Sequence, residues 1–481
     1  MRPTRLAGTA SANLTRVTDR QELERFDFVV IGAGAAGEAA TQLALGRGAS
    51  VALVERELFG GSCAYWACMP SKALLHAAAV HKAGGDFPWS RASEFRDWNI
   101  NRTKGDLPDD SSRVEAVEKK GGVTIRGTAR LAGQGRVEVE ESSGGARSLA
   151  ARHIILAVGS SSRVPDIPGL AEVPYWTNRQ ATSTRELPRS LLVLGGGPTG
   201  VEMAQIFARY GVPTTIVDSN PRILARDHER NSAALRDALE ADGVRVIVGT
   251  RATRAVAGGG ADGAHLVELS DASSVEGHAL LLAIGRVYPL AGLGLETVGV
   301  EPAEDGRLEP DVSLQIAPEV YLVGDPAGPE MHTHLAHYEG ELAARIALGD
   351  EVAPDFRAIP RATYTDPETA SVGLTVEQAL EQGLDALERS LELAESAKGY
   401  VSKSTGHVTV VVDRERHTLL GCFIAGPGAS EAIHEAVLAV KLQVPLHILA
   451  DTLHAFPTVA RVLGTLFAQI STELTPSAAA D

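Results

Sequence analysis

The chain contains two glycine-rich turns, each of which follows an apolar stretch and opens a segment with helical character. The first stands in "FDFVVIGAGAAGEAATQLALGRGASVALVE" and the second in "SLLVLGGGPTGVEMAQIFARYGVPTTIVD". In a βαβ unit of this kind, the first glycine permits a tight turn, the second lets the backbone approach a pyrophosphate, and the third lets the helix pack on the strand. The two segments therefore predict two dinucleotide-binding modules in one chain.

Each unit offers a defined set of residues to its dinucleotide. The predicted binding residues are Gly32, Gly34, Gly37 and Glu55 in the first unit, and Gly195, Gly197, Gly200 and Asp218 in the second. Glu55 and Asp218 each end the second strand of their unit, at the spacing of an acid that binds a ribose hydroxyl. Asp218 favours NADH, because a carboxylate repels a 2′-phosphate, while the nearby Arg222 and Arg226 keep NADPH as the alternative.

A pair of cysteines lies between the two units, in "GSCAYWACMPSK" at residues 61–72. Three cysteines in 481 residues are typical of a reducing compartment, where a lasting structural disulfide is unusual. A zinc site would need further ligands, and no second cysteine pair supplies them. A redox pair is therefore the leading interpretation of Cys63 and Cys68. Both are predicted to open a helix, whose N-terminus favours the thiolate.

Charge and hydropathy argue against several classes of partner. The chain has 45 Lys and Arg against 61 Asp and Glu, and its net charge of −16 repels polyanions. No apolar run is long enough to cross a bilayer without interruption. We therefore expect neither a nucleic acid nor a membrane as a partner. We also expect the protein to be cytoplasmic. Residues 1–25 lack the apolar core of a secretory signal and are expected to form a flexible extension.

Four segments, including the one with the cysteine pair, resemble those of the flavoprotein disulfide reductases, the family of dihydrolipoamide dehydrogenase, glutathione reductase and mercuric reductase. "GGSCAYWACMPSK" resembles the redox-disulfide segment and "IILAVGSSSRVPDIPG" the link between domains. "VYLVGDPAG" resembles the second FAD segment and "IPRATYTDPETASVGLT" the start of the dimerisation domain. The resemblance implies an α/β fold with two Rossmann-like dinucleotide-binding domains plus a C-terminal α+β dimerisation domain. It also implies FAD and NADH or NADPH as cofactors, and a homodimer.

The resemblance also divides the chain and assigns roles to its residues. The implied domains are an FAD-binding domain at 26–168 and 288–353, an NAD(P)-binding domain at 169–287, and a dimerisation domain at 354–481. Cys63 would meet the substrate, and Cys68 would lie against the flavin and form the charge-transfer thiolate. Lys72 and Glu202 would form an ion pair beside the flavin, and Asp325 would bind FAD. Gly159 and Gly285 are further implied cofactor-binding residues, and no metal site is predicted.

The C-terminal segment departs from the pattern of the family, whose disulfide reductases use a His from the partner subunit, oriented by a Glu, to move protons. In "HAFPTVAR", Phe456 occupies the His position and Arg461 the Glu position. Phe456 would either exclude water from the site or pack at the dimer interface. His454, two residues earlier, would either substitute as the base or point elsewhere.

These features predict an NAD(P)H-dependent flavoprotein that passes electrons through FAD to a Cys63–Cys68 disulfide. The predicted final acceptor is a sulfur-containing, disulfide-type small molecule, reduced without the usual His–Glu dyad. One alternative is a quinone or metal-ion reductase that works directly from flavin or thiolate. Another is a dithiol-dependent, thioether-cleaving lyase or carboxylase, because the 2-ketopropyl-coenzyme M oxidoreductase/carboxylase of this family also has Phe in place of the His.

Overall fold

The computed structural model describes residues 23–103, 105–303 and 306–474. Most of the expected N-terminal extension, residues 1–22, lies outside these ranges. Its predicted end at residue 25 stays a prediction, and the first strand begins at Glu24. Glu24 is in register with Leu149 of a neighbouring strand, and Arg147 Nε donates to its carboxylate at 2.8 Å.

The first part of the chain builds a mixed sheet with a parallel centre and with helices packed on it. Its elements are β1 (Glu24–Ile31), α1 (Ala35–Gly46), β2 (Val51–Glu55), α2 (Gly61–Tyr65), α3 (Cys68–Lys82), α4 (Trp89–Asn99), α5 (Ser111–Glu118), β3 (Val123–Leu131), β4 (Arg136–Glu141), β5 (Ala146–Leu156) and β6 (Ser161–Ser162). Strand β1 pairs in parallel with β2 and β5, and β2 pairs in parallel with β3. Residues 28–31 of β1 are buried, as their unbroken apolar run predicts for a central parallel strand.

The second part repeats the strand–helix–strand pattern in a separate sheet. Its elements are α6 (Asn178–Ser183), β7 (Leu191–Leu194), α7 (Pro198–Arg209), β8 (Thr214–Val217), α8 (Glu229–Ala241), β9 (Arg245–Ile247), β10 (Ala252–Val256), β11 (His265–Leu269), β12 (Ser274–Gly277) and β13 (Ala279–Leu282). Four of these strands form a parallel sheet in the order β13-β7-β8-β9, and β10-β11-β12 form an antiparallel sheet.

The chain then returns to the first sheet. The elements of this return are β14 (Arg286–Val287), β15 (Gln315–Ala317), β16 (Val320–Leu322) and α9 (Thr333–Ala347). Strand β14 pairs with β6, and β16 adds to β5 in parallel. Helix α9 packs closely on α1, because Gly340 has no side chain and a Cβ there would lie 2.1 Å from the carbonyl oxygen of Ala36.

The C-terminal part is an antiparallel sheet with helices. Its elements are β17 (Arg361–Thr363), β18 (Glu368–Gly373), α10 (Val376–Glu381), β19 (Ala386–Glu392), α11 (Ala397–Ser402), β20 (His407–Asp413), β21 (Thr418–Gly426), α12 (Ala429–Leu442), α13 (Leu446–Asp451) and α14 (Val459–Leu474). The strand order is β17-β18-β21-β20-β19, and residues of α12 and α14 share its core. The predicted fold class is confirmed. The exact domain boundaries stay a prediction.

Among the helices that the structure describes, none combines the length and the apolar character needed to span a lipid bilayer.

Candidate active site

In each glycine turn, the backbone packs directly against the backbone of a neighbouring segment at the ends of the parallel strands. Gly32 has φ +100°, and a Cβ there would lie 2.3 Å from the carbonyl oxygen of Ala157. A Cβ on Gly37 would lie 1.8 Å from the oxygen of Gly32, so α1 can approach β1 only through a glycine. Gly34, at the start of α1, has open space where its side chain would be. The N-terminus of α1 is therefore free to face a phosphate.

The second turn repeats this geometry. Gly195 has φ +108°, with a Cβ position 2.3 Å from the oxygen of Ala283, and a Cβ on Gly200 would lie 1.9 Å from the oxygen of Gly195. Gly197 is open, as Gly34 is. Gly285, at the end of the neighbouring strand, has φ +116° and also faces open space.

A cleft of about 1260 Å³ lies beside the first turn. The predicted site residues that line it are Gly32, Gly34, Glu55, Cys63, Cys68, Lys72, Gly159, Glu202 and Asp325. The second fingerprint reaches the same cleft through Pro198 and Thr199 in the first turn of α7. The fold therefore places the dithiol, the first nucleotide turn and the start of the second nucleotide helix around one cavity.

The cleft has the features that FAD would need. Glu55 lies at its rim, where its carboxylate accepts hydrogen bonds from the N–H groups of Ala33 and Glu57, both at 2.8 Å. Asp325 accepts a hydrogen bond from the hydroxyl of Ser160 and lies 3.7 Å from the guanidinium of Arg286. An open helix N-terminus with acids along one cleft suits a pyrophosphate and its attached polyols.

The two cysteines occupy different local structures, which corrects the expectation that both open one helix. Cys68 is the first residue of α3, whereas Cys63 lies in the preceding short helix α2. Both are free thiols. A bend at Ala67 separates the two helices, and there the backbone leaves helical geometry at φ −128°, ψ −97°.

The two thiols also differ in acidity, and only one has the lowered pKa that we expected for both. A hydrogen bond from Cys63 lowers the pKa of Cys68 to about 6 against the opposing effect of burial, with help from the hydroxyl of Thr333 and the charge of Lys72. The Sγ of Cys68 lies 3.3 Å from Thr333 Oγ1. The pKa of Cys63 is raised, first by its hydrogen bond to Cys68 and then by burial. Within this coupled pair, the surroundings therefore favour Cys68 as the thiolate.

Lys72 and Glu202 form an ion pair in the same cleft. Lys72 Nζ lies 3.0 Å and 2.9 Å from the two carboxylate oxygens of Glu202, which joins α3 to α7. The N–H of Tyr364 donates to Glu202 at 3.1 Å, and Lys72 Nζ lies 4.5 Å from the centre of the Tyr364 ring. The structure thus brings together two residues 130 positions apart. Their catalytic role stays a prediction.

The residues at which the sequence departs from the family pattern differ in their exposure. Phe456 is 73% exposed in the single chain, and Arg461 is exposed as well. The side chain of His454 is only 4% exposed, and its Nε2 lies 2.7 Å from Glu435 Oε1. A Cβ on Gly464 would lie 2.4 Å from its Nδ1, so the imidazole is enclosed between α12 and α14. This position favours a structural role for His454.

Asp218 is tied into its own turn. Its carboxylate accepts hydrogen bonds from the N–H of Gly196 and, at 2.7 Å and 2.8 Å, from the backbone and side-chain nitrogens of Asn220. Arg222 donates to the carbonyl of Leu224 at 3.0 Å, and Arg226 is exposed. The preference for NADH over NADPH stays a prediction.

Several residues at the cleft were missed by the sequence analysis. Thr333 contacts Cys68 across 265 positions, and Tyr364 contacts Glu202 across 162. Neither lies in a pattern that indicates a function by itself. The histidines of "MHTHLAH" are visible as a cluster in the sequence, but the contact of His332 with Glu330, 2.8 Å away, is not. Within the described ranges, no group of three or more His, Cys, Asp and Glu residues is arranged to hold a metal ion.

Comparison with protein families identifies the class to which this fold and site belong. Residues 26–340 match the family described as pyridine nucleotide-disulphide oxidoreductase, and residues 359–467 match its dimerisation domain. The chain belongs to this family.

Individual relatives cover almost the whole chain. A dihydrolipoyl dehydrogenase of Halobacterium salinarum is 34% identical over 451 residues, which are 90% of this chain and 94% of the relative. A mercuric reductase of Streptomyces lividans is 33% identical and covers 91% of this chain, with 94% of the relative matched. A solved structure, the Cu(II) complex of the HOCl-induced flavoprotein disulfide reductase RclA from Escherichia coli, superimposes with a TM-score of 0.84 at 26% identity. The match covers 93% of this chain and 100% of RclA.

These findings confirm the predicted family, and with it the enzyme class of NAD(P)H-dependent flavoprotein oxidoreductases that act on sulfur groups. FAD and NAD(P)H are the cofactors of the family, as predicted. The dimerisation-domain match supports a homodimer.

Proposed function

We propose that this protein oxidises NAD(P)H and passes two electrons through FAD and the Cys63–Cys68 pair to a small disulfide-type acceptor, without the His–Glu dyad of its family. The observation that carries the proposal is that both thiols, the first glycine turn and the Lys72–Glu202 ion pair line one cleft. Cys68 has a pKa lowered to about 6, whereas the pKa of Cys63 is raised. A pair with one stable thiolate and one protonated thiol suits a division of labour between a resting and an attacking sulfur.

The residues around the cleft have distinct tasks in this proposal. The turn at Gly32 and the start of α1 would bind the pyrophosphate of FAD, and Glu55 and Asp325 would bind its polyol portions. When bound, FAD supplies two-electron transfer between the nicotinamide and the cysteine pair. Lys72, held by Glu202, keeps a positive charge near Cys68 and so stabilises its thiolate. Cys63 exchanges with the external disulfide.

The residues that replace the dyad determine how protons can be transferred in this exchange. A positioned base typically contributes about a hundredfold or more to proton transfer. Phe456 has no group that can accept a proton, and His454 is enclosed with Glu435. In the dimer that we propose, Phe456 of one subunit would exclude water at the entrance to the partner's cysteine pair. We therefore propose an acceptor whose reduction does not depend on a histidine at that position.

An anaerobic titration with NADH tests the proposal directly. We expect purified protein to be yellow and to develop a long-wavelength absorbance band after two electrons, together with two titratable thiols that the oxidised protein lacks. In the Cys63→Ser and Cys68→Ser variants, NADH should no longer release this pair of thiols. Reduction of the flavin absorbance with no gain of thiols in the wild-type protein would overturn the proposal.

A second candidate is the reduction of a metal ion, and specific relatives favour it. One relative is a mercuric reductase and one structural neighbour is a Cu(II) complex of a flavoprotein disulfide reductase. Reduction of a metal ion or a quinone depends less on proton transfer at Cys63 than reduction of a disulfide does. NADH oxidation measured with Cu(II), Hg(II), a quinone and a disulfide would separate the candidates. Turnover with metal ions or quinones that persists in Cys63→Ser, without disulfide turnover in the wild-type protein, would favour this second candidate.

A further inference from the structure

A His–carboxylate pair lies at the cleft within the same subunit, outside the segment where the family carries its dyad. His332 Nε2 donates to Glu330 Oε2 at 2.8 Å. Arg361, the first residue of β17, donates through Nε to the same oxygen at 2.7 Å and through Nη2 to Oε1. Both carboxylate oxygens of Glu330 are therefore bound by cationic or imidazole donors.

The carboxylate is held in its charged form. Burial raises the pKa of Glu330, but hydrogen bonds from His332 and Arg361 and the charge of Arg361 outweigh it and lower the pKa to about 2. An ionised carboxylate beside an imidazole fixes its tautomer and supports the imidazolium when it forms. Because Nε2 is the atom bound to Glu330, Nδ1 is the atom left to exchange a proton.

His332 of this pair shares the cleft with the two sulfurs and adjoins a residue that contacts one of them. His332 directly precedes Thr333, whose hydroxyl is 3.3 Å from the Sγ of Cys68 and also interacts with Cys63. His332, Cys63 and Cys68 line the same cleft, and the side chain of His332 is 27% exposed. The imidazole is thus restrained on one side and accessible on the other, as a proton donor and acceptor has to be.

Other titratable groups near His332 are also accounted for. The ring of His334 stacks on it with centroids 5.0 Å apart, and its Nε2 donates to the carbonyl of Pro360 at 2.9 Å. Burial, and then the charge of His332, lower the pKa of His334, which disfavours a positive charge on that ring. His434 of α12 lines the same cleft and lies close enough to His334 to affect its charge. Of the two stacked rings, His332 is therefore the one with a carboxylate to support a positive charge.

We propose that His332, positioned by Glu330, is the acid–base group for Cys63 when this thiol exchanges with an external disulfide. His332 would take the role of the family's histidine, whose position is occupied here by Phe456. This inference rests on the proposed function and names its proton carrier.

The exchange balances with the groups at hand. His332 takes the proton of Cys63, and the thiolate attacks one sulfur of R–S–S–R, which forms a Cys63–S–S–R bond and breaks the substrate's S–S bond. The leaving RS⁻ takes the proton from His332. The Cys68 thiolate then attacks Cys63, which closes the Cys63–Cys68 disulfide and releases a second RS⁻ that is protonated from solvent. Two electrons pass from the cysteine pair to the substrate, and two RSH form.

The test uses disulfides that differ in how much their leaving thiolate needs a proton. Reduced holoprotein is mixed in a stopped-flow instrument with hydroxyethyl disulfide, whose alkyl thiolate is strongly basic, or with 5,5′-dithiobis(2-nitrobenzoate), whose aromatic thiolate is not. The variants are His332→Gln, which keeps a donor for Glu330 but cannot transfer a proton, and Glu330→Gln. His417→Asn, at an exposed residue in the turn between β20 and β21, is the control.

We expect His332→Gln to slow the reaction with hydroxyethyl disulfide by about a hundredfold and that with the aromatic disulfide by less than about threefold. Glu330→Gln should show the same selectivity to a smaller extent, and His417→Asn no change. Alkylation of Cys63 by iodoacetamide, followed by mass spectrometry, should slow in His332→Gln near neutral pH. Free imidazole should restore part of the hydroxyethyl disulfide rate in His332→Ala.

Two results would overturn the inference, and they differ from failure of the proposed function. An unchanged rate with hydroxyethyl disulfide in His332→Gln excludes His332 as the proton carrier. Equal losses with both disulfides, without rescue by imidazole, show a structural role instead. If reduced wild-type protein reacts with neither disulfide, the proposed function itself fails, and the inference fails with it.

Discussion

At the scale of single residues, the two thiols of the cleft are made unequal by neighbours that are remote in sequence. Cys68 is contacted by Thr333 of α9 and is exposed to the charge of Lys72, whereas Cys63 hydrogen-bonds to Cys68. Both cysteines are partly buried, so burial opposes a charge on either. The specific contacts therefore decide which sulfur is ionised.

Removal of the Thr333 hydroxyl should shift the titration of Cys68. The pKa of Cys68 is lowered to about 6, so its thiolate is present above that pH and is lost as the pH falls through it. Thr333→Val removes one hydrogen bond to the thiolate and should move this titration upward by roughly half to one pH unit. The long-wavelength absorbance of NADH-reduced protein, measured against pH, reports it. Thr333→Ser keeps the hydroxyl and should titrate like wild type; an unchanged midpoint in Thr333→Val would contradict the assignment.

A second residue-scale prediction concerns Glu339, which is fully buried beneath the second FAD segment. Its Oε2 accepts from the N–H of Gly324 at 2.7 Å, and burial raises its pKa from 4.5 to about 8. Between these values the unfolded chain is ionised at this group and the folded chain is not, so the free energy of unfolding falls as pH rises, by at most about 1.4 kcal/mol per unit.

Glu339→Gln keeps an acceptor for Gly324 and removes this titration. Its thermal midpoint should exceed that of wild type by an amount that grows from pH 5 to pH 8, as followed by circular dichroism. Glu341→Gln, at an exposed position of the same helix, should show no such trend. A difference between Glu339→Gln and wild type that is the same at both pH values would contradict the raised pKa of Glu339 in the folded protein.

At the scale of elements, helix α7 connects the cleft to the C-terminal domain. Its N-terminal half presents Glu202 to Lys72, and its last residue, Arg209, donates at 2.8 Å to both Asp242 and Asp366. The side chains of Arg209 and Asp242 are only 2% and 3% exposed. One helix thus carries a site residue at one end and a buried ion pair at the other.

Removal of Arg209 should destabilise the junction of these elements. Arg209→Met leaves the buried Asp242 with Lys82 as its remaining cationic partner, and the loss of one member of a buried pair typically costs about 3–5 kcal/mol. Denaturant unfolding, followed by fluorescence, would measure the change. The exposed pair of Arg236 with Glu240 provides a control, because Arg236→Met should cost no more than about 0.5 kcal/mol. Similar losses in the two variants would contradict this account.

At the scale of the whole molecule, the C-terminal domain exposes apolar side chains that a soluble monomer rarely presents together. They lie on α12, α13 and the segment before α14, are between 50% and 97% exposed, and are Leu438, Leu442, Ile448, Leu453 and Phe456. The dimerisation-domain match covers all of them. We therefore predict that this surface is the dimer interface.

A charge in this surface should separate the subunits. Leu442→Glu places a carboxylate at a position that is 63% exposed in the single chain, where burial against a partner would require its desolvation. Sedimentation velocity should show a shift from dimer toward monomer. Val312→Glu, at an 82% exposed residue of the first nucleotide-binding part, should leave the dimer intact. A stable dimer in Leu442→Glu would show that the interface lies elsewhere.

The strand–glycine–helix units were predictable because their chemistry is local. The apolar run before Gly32, the turn itself and the acid at Glu55 lie within one short segment, and so do their counterparts from Gly195 to Asp218. The start of β1 at Glu24 was less predictable, because this charged residue is paired with Leu149 of β5 and bound by Arg147 of the same strand, which is remote in sequence. The placement of Cys63 in a separate short helix likewise depends on the backbone bend at Ala67.

The sequence by itself determined that this protein has two dinucleotide-binding units, a redox-type cysteine pair, and Phe456 at the position of the family's histidine. Each of these properties resides in adjacent residues. Only the tertiary structure showed which neighbours favour a thiolate at Cys68, that His454 is enclosed and that Glu330 contacts His332. The physical reason is that acidity and accessibility are set by the groups that surround a side chain in space. Those groups come from elements that meet only after the chain has folded.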